Sequence, residues 1–327
     1  MPSHTRRALT VAMILAASLP LSSAAQSAPW PNRPIKFVVP FAPGGVADVV
    51  VRTITPKLSE ALGQPVIVEN KGGAGGTLGT EQVAHAKPDG YTFVTPAASH
   101  ATTPGLYTKL SFDPVKDFAA VTQIATVPYL LVVNRTVPAN TVQEFIAYAK
   151  ANPDKLVYGS AGNGSSNHLA GELFQSMSGT QLVHSPYKGS GPAMVDVIAG
   201  HINFMFDAVN TSVQHIKSGQ IRALGVGTLK RSRLMPDVPT ISESGLAGFE
   251  AVTWVGVLAP AGTPKEIVNR LSQEIVKVLQ MPDVQERLSS QGAEPVGSTP
   301  EQFDAYVRAE IDKWGNVIRK AKIPPVE

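Results

Sequence analysis

Residues 37 to 45 read FVVPFAPGG, and residues 156 to 166 read LVYGSAGNGSS. In both stretches a short apolar run ends at small residues, and a helix-like pattern follows directly. A strand that leads through such a loop into a helix exposes N–H groups without intrahelical partners, and these groups and the helix dipole attract anions. The two stretches therefore predict two loops that hold a carboxylate with neutral donors. Each could instead be a plain turn, as single Gly-rich turns usually are.

The remainder of the chain repeats this alternation of β-rich runs and amphipathic stretches. Candidate strands are Ile35–Val39, Val66–Glu69, Tyr91–Thr95, Ala119–Ile124, Tyr129–Val133, Leu156–Tyr158, Leu182–Ser185, Ile202–Phe206, Ile221–Val226 and Thr253–Leu258. Helical patterns between them include Val46–Leu62 and Val142–Ala149. The alternation predicts an α/β fold with parallel sheets, and ligands in such folds bind at the carboxyl ends of strands.

Helix ends carry recognisable capping signals. Capping boxes are predicted at Thr141–Glu144, Thr263–Glu266 and Thr299–Gln302. Gly63 predicts the end of the first helix, and Pro56 predicts a kink or restart within it. These features indicate packing and carry no functional information by themselves.

The N-terminus indicates export. Arg6 and Arg7 precede an apolar run, Ala8–Leu19, which small residues follow up to Ala25. This order is typical of a secretory signal peptide, so we expect residues 1–25 to be removed and the mature protein to be periplasmic. The chain has no cysteine, and disulfides therefore cannot stabilise it.

Composition narrows the class of protein. The 327 residues are 43% hydrophobic and 16% charged, which suits a globular protein with a sizeable core. The length allows two compact lobes. A net charge of +3, without a basic stripe, argues against a nucleic-acid partner.

Motifs for catalysis and cofactor binding are missing from the sequence. There is no G-x-S-x-G elbow, no H-E-x-x-H pair and no P-loop, and the histidines and acids lack metal spacing. ENKGGAGGTLGTE superficially suggests a dinucleotide turn, but Leu78 stands where the third glycine should be. We interpret the segment Gly72–Gly79 as a loop that supports the cleft, and predict no cofactor, no metal and no enzymatic activity.

Polar residues at expected strand ends and helix starts are further ligand-binding candidates. They are Asp48, Ser99, His100, His168, Tyr187 and Asp207. Asp48 could simply favour the helix dipole, or it could bond to a ligand. His168 is more simply explained as a packed or capping histidine. The others could contact ligand or serve as caps and turns.

Several motifs together resemble one known family. They are residues 30–93 (WPNRPIKFVVPFAPGG through KPDGYTF), 106–125 (LYTKLSFDPVKDFAAVTQIA), 158–174 (YGSAGNGSSNHLAGELF), 187–207 (YKGSGPAMVDVIAGHINFMFD), 216–226 (IKSGQIRALGV) and 253–271 (TWVGVLAPAGTPKEIVNRL). In this order they resemble the Bug-type periplasmic solute-binding receptors of tripartite tricarboxylate transporters. The resemblance covers essentially the whole mature chain.

The resemblance implies a type II periplasmic-binding-protein fold, in which two α/β lobes close on a ligand. Carried over by motif, the facing loops are Phe41–Gly45 and Ser160–Ser165. Relatives bind aromatic acids, dicarboxylates, tricarboxylates, amino acids or nicotinate-like compounds, so the resemblance does not fix the ligand. The expected division is 30–125 plus 253–327 for lobe I and 126–252 for lobe II.

The function predicted is capture of a small carboxylated acid and its delivery to the integral-membrane permease subunits. The predicted ligand-binding residues are Phe41, Pro43, Gly44, Gly45, Asp48, Ser99, His100, Ser160, Asn163, Gly164, Ser165, His168, Tyr187 and Asp207. An extracytoplasmic sensor that feeds a signalling system could use the same cleft. A hydrolase is a third possibility, and it would turn over the acid that a receptor returns intact.

Overall fold

Strands and helices alternate along the chain in the computed structural model, which describes residues 30–41, 43–187 and 189–325. The strands are β1 Ile35–Val39, β2 Val66–Asn70, β3 Thr92–Val94, β4 Phe118–Asn134, β5 Val157–Ser160, β6 Val183–Pro186, β7 Phe204–Ala208, β8 Ile221–Val226, β9 Val252–Pro260 and β10 Glu294–Pro295. The helices are α1 Val46–Leu62, α2 Thr77–Ala84, α3 Ser99–Leu106, α4 Val142–Ala151, α5 Ser166–Ser178, α6 Ser190–Ala199, α7 Val209–Lys217, α8 Lys265–Leu279, α9 Pro282–Ser290 and α10 Pro300–Ala321. The predicted signal peptide, 1–25, lies outside the described residues.

Strand order is β2-β1-β3-β9-β4-β7-β5-β6, with β8 and β10 also paired to β4. The outer pairs β1–β2, β1–β3, β5–β6 and β5–β7 are parallel, as the sequence predicts. Pairings of β4 with β7, β8, β9 and β10 are antiparallel, and so is β3–β9. The prediction of parallel sheets therefore fails at the centre of the molecule, where the pairings are antiparallel.

The long strand β4 joins the two halves of the sheet. Its first part pairs with β9 as far as Pro128, and from Tyr129 onward it pairs with β7. The sequence predicted two separate strands here, Ala119–Ile124 and Tyr129–Val133, but Pro128 between them does not break the strand. The proline instead lies where the strand changes partners, so β4 continues as a crossover between two α/β lobes.

Each lobe has its own core. In the first, Phe37 and Ile54 are fully buried against α8, and Trp254 packs edge-to-face on Phe303 of α10 on the other side of the sheet. In the second, a cluster of aromatic rings packs around the buried Phe204. These cores hold the ends of β1 and β5 in place.

Two local predictions need correction. α1 runs without interruption through Pro56, so the expected restart is absent there. α8 is preceded by Pro264 without a side-chain cap, because the Thr263 hydroxyl donates to the Pro260 carbonyl oxygen instead. The capping box at Thr299 is confirmed, with both reciprocal bonds to Gln302 present. Gly63 ends α1 in a left-handed conformation, as predicted.

Candidate functional site

A cavity of about 480 Å³ lies between the two lobes. Six of the predicted residues line it: Phe41, Gly45, Ser99, Asn163, Gly164 and Ser165. The lining also contains Val46, Ala47, Gly75, Ala97, Thr102, Thr103, Leu106, Tyr107, Tyr129, Ala161, Ser166, Asn167, Ser190 and Thr253. Both Gly-rich loops therefore reach the same cavity from opposite lobes.

The described lining contains no Asp, Glu, Lys, Arg or His. Its polar groups are hydroxyls, amides and backbone. The first residues of α1 and α5 lie in the lining, and neither helix has a side-chain cap. First-turn N–H groups have no intrahelical partner, so two helix starts offer neutral donors to an anion.

The first loop is organised by Asp48, which lies outside the lining and is 3% exposed. Its carboxylate accepts the Gly44 N–H at 2.9 Å, the Arg52 Nε–H at 2.9 Å and the Asn70 amide at 2.8 Å. Asn70 also donates to the Phe41 carbonyl oxygen at 3.1 Å. Burial alone would raise the pKa of Asp48, but these hydrogen bonds outweigh it and leave the pKa below its ordinary value. The carboxylate therefore anchors the loop.

The predicted Pro43 and Gly44 also lie outside the lining. Because the Gly44 N–H already donates to Asp48, it is not a free donor for a ligand. The lining includes instead the next residues along the chain, Gly45, Val46 and Ala47. The donors that face the cavity thus belong to the start of the helix more than to the turn before it.

In the second loop, Ser160 and His168 lie behind the lining. Ser160 is fully buried, and its hydroxyl accepts the Gly162 N–H at 3.1 Å. His168 is 5% exposed, and its Nδ1 accepts the Gly164 N–H at 2.9 Å. Both residues hold the loop from the lobe interior.

The other predicted residues outside the lining are engaged within their own lobes. His100 Nε2 donates to the Pro114 carbonyl oxygen at 2.9 Å, and burial lowers its pKa to about 4. The Tyr187 hydroxyl donates to Asp196 at 2.6 Å. Asp207 accepts from the hydroxyls of Thr211 and Ser212, and burial raises its pKa.

Sequence reasoning missed Tyr129 and Thr253, which line the cavity from the crossover strands. The Tyr129 hydroxyl faces the hydroxyls of Ser166 and Thr253, and burial raises its pKa. Three hydroxyls from both lobes thus lie close together in the cavity lining. Tyr129 reaches the cavity because β4 changes partners there, which depends on contacts with segments distant in the sequence.

The segment Gly72–Gly79 makes room for two aromatic side chains of the cavity wall. A Cβ on Gly75 would lie 3.0 Å from the Tyr107 hydroxyl, and one on Gly76 would lie 3.2 Å from Phe41 Cζ. Gly75 and Gly76 also have positive φ, of 65° and 100°. Larger residues here would displace both rings, which agrees with the interpretation of this segment as a support for the cleft.

No group of His, Cys, Asp or Glu within the described residues could hold a metal ion. None of the helices in residues 30–41, 43–187 and 189–325 has the length and apolar character needed to cross a membrane.

The family model of the tripartite tricarboxylate transporter family receptor matches residues 50–323. The chain belongs to this family. The structure agrees with that membership, because it has two lobes, a crossover strand and a cavity between the lobes. The predicted type II periplasmic-binding-protein fold and Bug-type receptor class are therefore confirmed, and the receptor is a binding protein rather than an enzyme.

Solved structures of similar proteins include bound carboxylates. The receptor is 38% identical to Rpa4515 of R. palustris with adipate, over 91% of this chain and 100% of that one, at a TM-score of 0.79. It is 35% identical to MatC of Rhodopseudomonas palustris with bound malate, over 88% and 100%, at 0.75. The periplasmic binding protein BugD is 38% identical over 91% and 100%, at 0.76.

Proposed function

We propose that this receptor captures a small organic carboxylate in the interlobe cavity and delivers it to the membrane permease of a tripartite tricarboxylate transporter. The observation that carries the proposal is the uncharged lining, into which two helix starts from opposite lobes project. The carboxylates bound by Rpa4515 and MatC support the same ligand class.

The proposed binding mode uses N–H groups at the start of α1 and α5 for the carboxylate, with the hydroxyls of Tyr129, Ser166 and Thr253 as further hydrogen-bonding groups. Closure of the lobes excludes water, and hydrogen bonds strengthen in the resulting low dielectric. The residues behind the lining, among them Asp48 and His168, act by holding the loops.

The proposed lobe boundaries are 30–125 plus 253–327 and 126–252. They are supported by the change of partners along β4 near Pro128 and by the start of β9 at Val252. The proposed location is the periplasm, reached after removal of residues 1–25. BugD and the family's receptor description support this location.

The test is a thermal-shift screen of the mature protein with adipate, malate, other dicarboxylates, aromatic acids and amino acids. A ligand at a hundred times its Kd adds about 2.7 kcal/mol to the free energy of unfolding. We expect at least one acid to raise Tm by several degrees and to be recovered intact. If no acid in the panel raises Tm or binds by calorimetry, the proposal is wrong.

A variant pair tests the site. Tyr129→Phe removes one hydroxyl from the cavity lining, and we expect the Kd of the bound acid to rise about tenfold. Tyr148→Phe, on α4 away from the cavity, should leave Kd unchanged.

Uptake of the acid should be lost in a strain that lacks the receptor, whereas a sensor would alter transcription and leave uptake intact.

A further inference from the structure

Two histidines stack behind the second loop. The rings of His168 on α5 and His184 on β6 have centroids 3.7 Å apart and planes 11° apart. His168 is bonded to the Gly164 N–H at 2.9 Å, and His184 Nε2 lies 2.6 Å from the Ser160 hydroxyl oxygen. The loop between Ser160 and Gly164 is therefore attached at both ends to one pair of rings.

The bond to Gly164 fixes the protonation state of His168. A backbone N–H can only donate, so His168 Nδ1 must accept and cannot carry a proton. The proton of the neutral ring then sits on Nε2, which faces Glu172 Oε1 at 3.6 Å. A proton on Nδ1 would make it a second donor opposite the Gly164 N–H, and the hydrogen bond between them would be lost.

Burial disfavours a positive charge on His184. Burial lowers the pKa of His184 to about 4, although the Glu172 carboxylate acts in the opposite direction. The groups that face the pair are Glu172 on α5, Tyr158 on β5 and the Ser160 hydroxyl. Tyr158 donates to the Glu172 carboxylate at 2.5 Å, so that carboxylate is already shared. Two imidazolium rings at stacking distance would repel each other.

We propose that His168 and His184 are positioning residues that, as neutral rings, hold the second loop in the shape that presents its donors to the ligand. They do so without touching the ligand, since neither lines the cavity. This inference rests on the proposed function for its consequence in binding. The attachment of the second loop to the two histidines is a property of the free protein, so it can be tested without a ligand.

Gly164 connects the histidine pair to the cleft. It lines the cavity, and Leu106 from the opposite lobe packs directly on it, with Cδ1 2.4 Å from the place of a Gly164 Cβ. His168 therefore holds the point of the second lobe that meets α3 of the first. Loss of the bond to His168 would loosen both the loop and this contact.

The experiment measures the free protein by NMR. Long-range imidazole correlations should show His168 with its proton on Nε2. The hydrogen-exchange protection factor of the Gly164 amide should fall about tenfold in His168→Leu, as expected for one buried hydrogen bond left unmade. His168→Asn should retain protection, because the Asn Oδ1 takes the place of Nδ1 as acceptor. His85→Leu, at the exposed position directly after α2, serves as the control.

Acidification gives a second readout. In the wild type, protection of Gly164 should fall as the signals of the histidine pair report protonation, whereas His168→Asn should lose this dependence. Calorimetry with adipate, or with whichever panel acid binds, should show a Kd raised about tenfold in His168→Leu and near wild type in His168→Asn.

Two results would overturn the inference. One is a His168 proton on Nδ1 in the free protein. The other is equal Gly164 protection in the wild type, His168→Leu and His168→Asn. If protection behaves as expected but no acid binds, the proposed function fails while the attachment of the loop stands, so the two failures are distinguishable.

Discussion

Gly164 and Leu106 touch across the cleft, and the contact exists only because residue 164 has no side chain. A Cβ at Gly164 would lie 2.4 Å from Leu106 Cδ1 and 3.2 Å from its Cδ2. Gly164 also has φ of +74°, a conformation that residues with a side chain rarely adopt. The meeting of the two lobes at this point therefore depends on glycine.

Replacement of Gly164 by alanine should hold the lobes apart. We expect the Kd of the bound acid to rise at least about tenfold, because closure would have to push Leu106 aside. Gly179→Ala is the matched control: its φ is +66° but nothing lies within 4 Å, so it should lower stability without changing Kd. The double variant Gly164→Ala, Leu106→Ala should recover part of the affinity. No recovery in calorimetry would contradict the steric explanation.

Removal of the Asp48 carboxylate should cost stability and affinity together. Asp48→Ala leaves the Gly44 N–H and the donors of Arg52 and Asn70 without their acceptor, which should lower the free energy of unfolding by about 1–3 kcal/mol. Affinity should also fall, since the first loop loses its anchor. Urea unfolding and calorimetry measure the two effects.

Asp304→Ala is the comparison for Asp48, because Asp304 pairs with Arg308 on the exposed side of α10. Surface pairs contribute about 0–1 kcal/mol, so little change is expected. If the two variants were equally stable, the assignment of Asp48 as an anchor would be wrong.

The location of both loops could be read from sequence because each depends on adjacent residues. A β-rich run, small residues and a helical pattern follow one another in the chain. β1 and α1 have the predicted bounds, and β5 overlaps its predicted run. The start of α1 at Val46 and its end at Gly63 followed from such local signals.

Contacts between distant segments could not be read in the same way. His168 and His184 lie on different elements and stack only because β5 and β6 pair, and Tyr129 reaches the cavity only because β4 crosses between lobes. Polar residues at strand ends were equally ambiguous, since Asp207 and Tyr187 satisfy neighbours within their own lobe. The sequence does not show whether a carboxyl or hydroxyl near a cleft will hydrogen-bond to a ligand or to a neighbouring residue of its own lobe.

Acid should destabilise the protein through His100. Burial lowers its pKa to about 4, so the native state keeps it neutral while the unfolded chain takes up a proton below about 6.5. The unfolded state thus binds more protons between these values, and stability is lost as pH falls from about 6.5 to about 4. The loss from His100 should approach about 3 kcal/mol.

His100→Gln separates this contribution from that of His184, whose pKa burial also lowers to about 4. The Gln amide can donate to the Pro114 carbonyl oxygen as Nε2 does, but it does not titrate. Urea unfolding at a series of pH values should give a shallower decline for the variant. Parallel curves for variant and wild type would exclude His100 as a source.

Binding of the acid should depend little on salt. Charged side chains are absent from the described lining of the cavity, so in the proposed binding mode helix starts and hydroxyls hold the carboxylate. Salt screens exposed charges over a Debye length of about 10 Å at 0.1 M, but it acts weakly on buried hydrogen bonds. We therefore expect Kd to change less than about threefold when ionic strength rises from about 0.05 M to about 0.5 M.

The measurement is calorimetry at several concentrations of sodium chloride, with a sulfate series to detect competition by another anion. A tenfold or larger weakening in chloride would mean that a cationic side chain pairs with the ligand, and the neutral binding mode would have to be abandoned.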